Sequence, residues 1–234
     1  VLMLNFRADR MRQIANMLLG SDLDLNIYSM TSYSDDFTNI SVLFPPEVVS
    51  DNLSACIASY GLKQLKVAEQ SKYAHVTYFL NGGIETPYEN EDRVLEKMVD
   101  VKTFDLAPKM SALKVMESVK KGMSEGYDFI AVNFANCDMV GHTGVLEATK
   151  IAVETVTKCA YELTEFGKQN DYTVVITADH GNAEVMECDG EINTAHTNNK
   201  VPFIVVNAKK DINLLENGSL CNIKPTILEL MDLN

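Results

Sequence analysis

Four histidines occur in the 234 residues, and three of them, His142, His180 and His196, fall in polar stretches beside Asp, Thr or Asn. In NFANCDMVGHTG (133–144), Asp138 and His142 are four apart. On a helical turn both side chains then point the same way and can hold one ion. In ITADHGNAE (176–184), Asp179 and His180 follow directly on an apolar run, and His196 sits in NTAHTNNKVPFIVV (193–206). Two Asp and three His make a mixed oxygen and nitrogen donor set that suits Mn²⁺ or Zn²⁺ better than Mg²⁺. Five ligands are too many for one small ion and too few to close two sites. A two-metal centre with open positions for a phosphate and a nucleophile is the natural inference. A lone histidine after a strand is more often a hydrogen-bonded loop residue than a ligand, and DHG arises readily by chance; the coincidence of three such loops with strand ends and acidic neighbours is what favours a metal.

Such ligands need rigid elements beneath them. The pattern predicts short buried strands over 127–134 and 172–178, a further strand after His196, and a strand over 25–31, with a β-rich run over 74–80. Helical spacing predicts helices over 7–19, 52–60, 111–123 and 146–166. Alternation at these lengths implies βαβ units, hence an α/β fold with a mainly parallel sheet covered by helices on both faces. The first two ligand pairs then lie at the carboxyl ends of strands, where open α/β sheets place their sites. Pro45 and Pro46, in SVLFPPEVVSDN (41–52), mark a hinge or boundary.

Composition sets the outer limits. The chain is 46% hydrophobic, enough for a core, and carries 20 Lys plus Arg against 33 Asp plus Glu, a net −13. That surplus argues against nucleic acid or an anionic membrane as partner, and a phosphorylated substrate would need local positive charge. No apolar run approaches the roughly 18 residues of a bilayer span, and Val1 to Leu4 lacks the features of a secretory signal. Five scattered Cys with no CxxC pair suggest neither disulfides nor a zinc cage, which fits a reducing, cytoplasmic setting.

NFRADR (5–10), KYAHVTYFLNGG (72–83), NFANCDMVGHTG, ITADHGNAE and TAHTNN (194–199) together resemble the cofactor-independent phosphoglycerate mutases of the alkaline phosphatase superfamily. The resemblance runs in order over almost the whole chain. It implies an alkaline phosphatase-like fold and interconversion of 3-phosphoglycerate and 2-phosphoglycerate in glycolysis and gluconeogenesis, through a phosphoserine and two divalent ions. Mn²⁺ is the first choice, with Mg²⁺, Co²⁺ or Zn²⁺ as alternatives. Asp138, His142 and His196 would hold one ion and Asp179 with His180 the other; Lys72 would contact the phosphoryl group, and Arg7 and Arg10 would bind the phosphoglycerate. Guanidinium forks suit that anion and Lys supplies a point charge, although the spacing of Arg7 and Arg10 beside Asp9 also describes a solvated first helical turn.

By the same resemblance, 1–45 are the last part of a transferase-type, substrate-binding α/β domain. Residues 46–63 are a hinge and connecting helix, and 64–234 a phosphatase-type metal-binding domain without its N-terminal segment. In the family that segment carries the nucleophilic serine and one more Asp ligand, and nothing here matches it, so these residues alone are expected to be inactive. Ser71 stands where the family often has Glu, and Cys137 where Pro or Gly is common. The full-length enzyme is expected to act as a monomer. The alternatives are a metal-dependent phosphatase or other phosphomutase of the superfamily, and a non-catalytic metal-binding remnant.

Overall fold

The computed structural model describes residues 1–34, 36–45 and 47–233, and of Asp9 and Arg10 only the backbone. The chain divides into two compact units, Val1–Val49 and Ser50–Asn234. Pro46 of the expected hinge lies outside the described residues.

In the first unit, β1 (Leu2–Met3), β2 (Ile27–Ser29) and β3 (Ile40–Val42) form a parallel sheet in that order, with α1 (Ala8–Leu19) crossing between β1 and β2. Met3, Ala15, Ile27, Tyr33 and Ile40 are buried together, with Met11, Leu18 and Leu19 of α1 packed against them. Tyr33 enters this apolar cluster because its hydroxyl has a partner there, the Asn5 carbonyl at 2.6 Å.

The second unit opens with α2 (Leu53–Ser59), capped by Asn52, whose side chain accepts the Ala55 N–H at 2.9 Å. Then come β4 (Gln64–Glu69), β5 (Glu91–Glu96), α3 (Ala112–Ser124) and β6 (Phe129–Asn133). The sheet is parallel in the order β5-β4-β6, with Gln64 opposite both Glu91 and Phe129. Every residue of β4 is buried, and its alternation sorts the layers. Leu65 and Val67 join Val115, Met116 and Val119 of α3 and Cys159 and Leu163 of α5 (Leu146–Gln169) in the main core. Gln64 and Lys66 point the other way, toward α2. There Gln64 Nε2 donates to the Ser54 carbonyl at 3.0 Å and Lys66 Nζ to the Ser54 hydroxyl at 2.7 Å. Lys66 is fully buried 5.0 Å from the Phe129 ring centroid, and burial pushes its amine down to about 8.

Between β6 and α5 lies α4 (Asn136–Gly141), and after α5 come β7 (Val174–Thr177), a hairpin of β8 (Glu187–Cys188) and β9 (Glu191–Ile192), β10 (Phe203–Val206) and α6 (Ile223–Leu230). The fold is thus mixed α/β with parallel sheets, and helices cover both faces of β4. Three details differ from the sequence reading. β10 pairs antiparallel with β7, Phe203 opposite Thr177, so the sheets are not parallel throughout. The β-rich run at 74–80 is a π-helical turn, His75–Phe79, which buries Val76 and Thr77 in succession where a strand would alternate them. β4 and β5 were not expected, because Lys66, Glu69, Glu91 and Arg93 make them read as polar. Among the described residues, no ladder occupies the second edge of β6 or of β7, and β6 is only half-buried throughout. No described helix is long and apolar enough to cross a membrane.

Candidate metal centre

α4 follows β6 after a two-residue step, so the strand aims the helix. Asn136 anchors it, its buried amide donating to the Pro108 carbonyl at 2.9 Å. Ala135 and Val140 pack with Ala148 and Ala152 of α5. This fixes Asp138 and, one turn on, His142 at the helix C-cap, with Asp138 Oδ1 3.0 Å from His142 Nε2. His196 arrives on the loop after β9 and places its Nε2 3.1 Å from Asp138 Oδ1 and 3.1 Å from His142 Nε2. His180, beyond the end of β7, stacks on His196 with centroids 3.6 Å apart. Donor atoms of Asp138, His180 and His196 all lie within 4.8 Å of one another. Asp179 is more exposed, its Oδ2 3.5 Å from His180 Nε2.

The donors suit a divalent cation. His142 Nδ1 lies 2.6 Å from the Thr194 carbonyl, an acceptor that orients the ring so that Nε2 faces Asp138 and His196. Two imidazole nitrogens and a carboxylate oxygen converge on one point. An ion held at about 2.1 Å by ligands at right or tetrahedral angles separates them by about 3.0 to 3.4 Å, which brackets the observed triangle of 3.0, 3.1 and 3.1 Å.

Lys72 follows β4 and closes the site from the central strand. Its Nζ is 2.6 Å from Asp138 Oδ2, and both side chains are largely buried. Burial raises the Asp138 pKa, but the Lys72 hydrogen bond and charge, with His142 and His180, outweigh it and hold the carboxyl below its ordinary value. Cys137, next in sequence, is pushed up by burial and by Asp138, which keeps it a neutral thiol. Ser71 Oγ donates to Glu69 at 2.9 Å.

Sequence reasoning missed the polar residues that hold these loops. The buried Asn182 has its Nδ2 3.4 Å from both Asp138 Oδ1 and His142 Nδ1. Gly141 is what lets it in, since a Cβ there would stand 2.0 Å from Asn182 Oδ1. Glu184 accepts from Asn182 N–H at 2.7 Å, Asn199 Nδ2 at 3.1 Å and the Thr197 hydroxyl. Burial would raise the Glu184 pKa, but these bonds hold it low. The one signal in the sequence was position, two and four residues after His180.

Arg7 stands in the other unit as the N-cap residue of α1, exposed, its N–H donating to Asn5 Oδ1 at 2.7 Å. The Arg10 side chain lies outside the described residues.

The profile of the metalloenzyme superfamily matches residues 9–234, and the chain belongs to that superfamily. It is similar over its whole length to the 2,3-bisphosphoglycerate-independent phosphoglycerate mutase of Sulfurimonas denitrificans, with 50% identity covering 49% of that protein. The enzyme of the same name from Bacteroides thetaiotaomicron is 44% identical over all of this chain and 48% of its own length. Among solved structures, a Leishmania mexicana phosphoglycerate mutase at low cobalt concentration superposes with a TM-score of 0.80 at 27% identity, over 88% of this chain and 42% of that one. The chain spans about half the length of the curated relatives it matches.

Proposed function

We propose that this chain supplies the metal-binding part of a cofactor-independent phosphoglycerate mutase, an isomerase that moves a phosphoryl group between the 3- and 2-hydroxyls of glycerate in glycolysis and gluconeogenesis. One observation carries the reading: the Asp138, His142 and His196 triangle with Lys72 against it, in a chain 50% identical to such a mutase. Asp138, His142 and His196 would hold one divalent ion and Asp179 with His180 a second, with Mn²⁺ favoured by the mixed donors. Bound ions would neutralise phosphoryl oxygens and ease loss of the proton from an attacking serine.

The chain's own residues do the rest. Lys72 presents an ammonium beside Asp138, where it can turn to an incoming phosphoryl oxygen. His142 donates its Nδ1–H to the Thr194 carbonyl, which orients the ring with Nε2 toward Asp138 and His196. Arg7 and Arg10 would grip the phosphoglycerate carboxylate and phosphate. Residues 1–45 would belong to the substrate-binding domain, 46–63 to a hinge and 64–234 to the metal-binding domain. Closure about that hinge would keep water from the phosphoserine. The nucleophilic serine and a further Asp ligand would come from polypeptide outside these residues. The reading carries a monomeric, cytoplasmic enzyme with a small anionic substrate, without nucleic acid or membrane partners.

The test is conversion of 3-phosphoglycerate without added bisphosphoglycerate, by the full-length polypeptide with Mn²⁺ and by the 234 residues alone. Turnover is expected only from the former. Faster hydrolysis of a generic phosphate monoester than mutase turnover would refute the reading in favour of a phosphatase.

A further inference from the structure

We infer that Glu184 is a positioning residue of this centre: its carboxylate pins the loop bearing His196 to the turn bearing His180, and so fixes where the two imidazoles meet an ion. The inference rests on the metal-centre reading above.

The His196 loop has no core of its own, since none of residues 191–200 is buried. Hydrogen bonds must therefore place it. Some come from its near end, where Asn193 donates through its N–H to Met186 O at 3.0 Å and through Nδ2 to Val185 O at 2.8 Å. Beyond His196, the Thr197 N–H donates to Gly181 O at 2.9 Å, forming an isolated antiparallel bridge. Glu184 doubles that bridge. One carboxylate oxygen takes the Asn182 N–H on the His180 side, and the other takes the Thr197 hydroxyl and Asn199 amide on the His196 side.

Three features make this a specific fitting. All three partners are donors, so an acceptor-only carboxylate satisfies each, whereas an amide would turn an N–H₂ toward one of them. Gly181 leaves the space it occupies, because a Cβ there would stand 2.2 Å from both Glu184 Oε1 and Thr197 Oγ1. The residue whose N–H Glu184 accepts, Asn182, also reaches Asp138 and His142 with its side chain, so one short turn touches all three ligand-bearing segments. Groups of this kind behind metal ligands typically change affinity by about 10- to 100-fold when removed.

The experiment titrates the protein with Co²⁺, followed by its visible absorption, and reads amide hydrogen exchange at Thr197. Glu184→Ala is expected to weaken Co²⁺ binding by about 10- to 100-fold, alter the absorption band and speed exchange at Thr197, leaving exchange in β4 unchanged. Glu184→Gln, which keeps one acceptor oxygen, should recover part of the affinity. Gly181→Ala should weaken binding similarly without removing any donor or acceptor. Glu184→Ala with affinity within about twofold of the parent and unaltered Thr197 exchange would overturn the inference. If the parent binds and His142→Ala does not, that result removes the role of Glu184 alone; a parent that takes up no Co²⁺ removes the metal centre and this role together.

Discussion

Replacing Asp138 by Asn keeps the shape of the side chain and deletes its charge, which isolates the contact with Lys72. The two groups are 2.6 Å apart with side-chain exposures of 7% for Lys72 and 15% for Asp138, so little water screens them. At an effective dielectric of about 20 their gross attraction is on the order of 5 kcal/mol. Most of it is spent on desolvation, and losing one partner strands the other charge in a largely dry site, a perturbation that typically costs about 3 to 5 kcal/mol. Asp138→Asn is therefore expected to lower the unfolding free energy by about 3 kcal/mol, measured by urea titration with a chelator present. Lys72→Met alone should cost a similar amount, since it strands Asp138 among histidines. The double variant should be less harmed than the two losses added together, by about 2 kcal/mol of coupling. Additive losses, or an Asp138→Asn cost under about 1 kcal/mol, would show that Lys72 and Asp138 do not form a desolvated pair and would remove Lys72 from the site.

Two further outcomes follow from geometry already described. His142→Ala removes one corner of the ligand triangle and should weaken Mn²⁺ binding by roughly 100-fold or more, read by calorimetry; unchanged affinity would refute its assignment as a ligand. Lys66 gives a pH signature. Its amine titrates at about 8 in the folded chain against 10.5 ordinarily. Between those values the unfolded chain binds more protons, so folded stability rises with pH. Relative to Lys66→Met, the parent should gain about 3 kcal/mol across that window, which denaturant titrations at pH 7.5 and 10.5 would detect. A flat difference would mean that the amine is solvated.

The helices were the most legible part of the sequence. α3 and α5 carry apolar residues at helical spacing, and β6 and β7 are short apolar runs, so all four emerge within a few residues of their observed limits. β4 was invisible for a physical reason. A strand buried on both faces is normally apolar, but here one face meets α2 through Gln64 and Lys66, whose nitrogens donate to Ser54. The antiparallel run of β10 was equally hidden, because strand direction leaves no mark on composition. At the site, Asp138 and His142 were readable because helical spacing couples them. His180 and His196 were readable because histidine is scarce in this chain. Lys72 has no spacing relation to Asp138 and entered only through resemblance. Asn182, Glu184, Thr194 and Thr197 are ordinary loop residues by type, and their role exists only once the loops are brought together.

The unladdered edges of β6 and β7 have a practical side. Among the described residues each strand has an edge without a ladder along an apolar sequence, FIAVN and VVIT, and β6 has neither proline nor a charged side chain to discourage a stray strand from pairing there. Such edges template association between molecules, most of all when the chain is produced at high concentration. Net charge of −13 opposes this through mutual repulsion, a protection that weakens as salt shortens the range of the field. The solubility of these 234 residues on their own is thus set by a contest between sticky strand margins and a screened electrostatic cushion, and it should deteriorate with rising ionic strength well before the fold itself is strained.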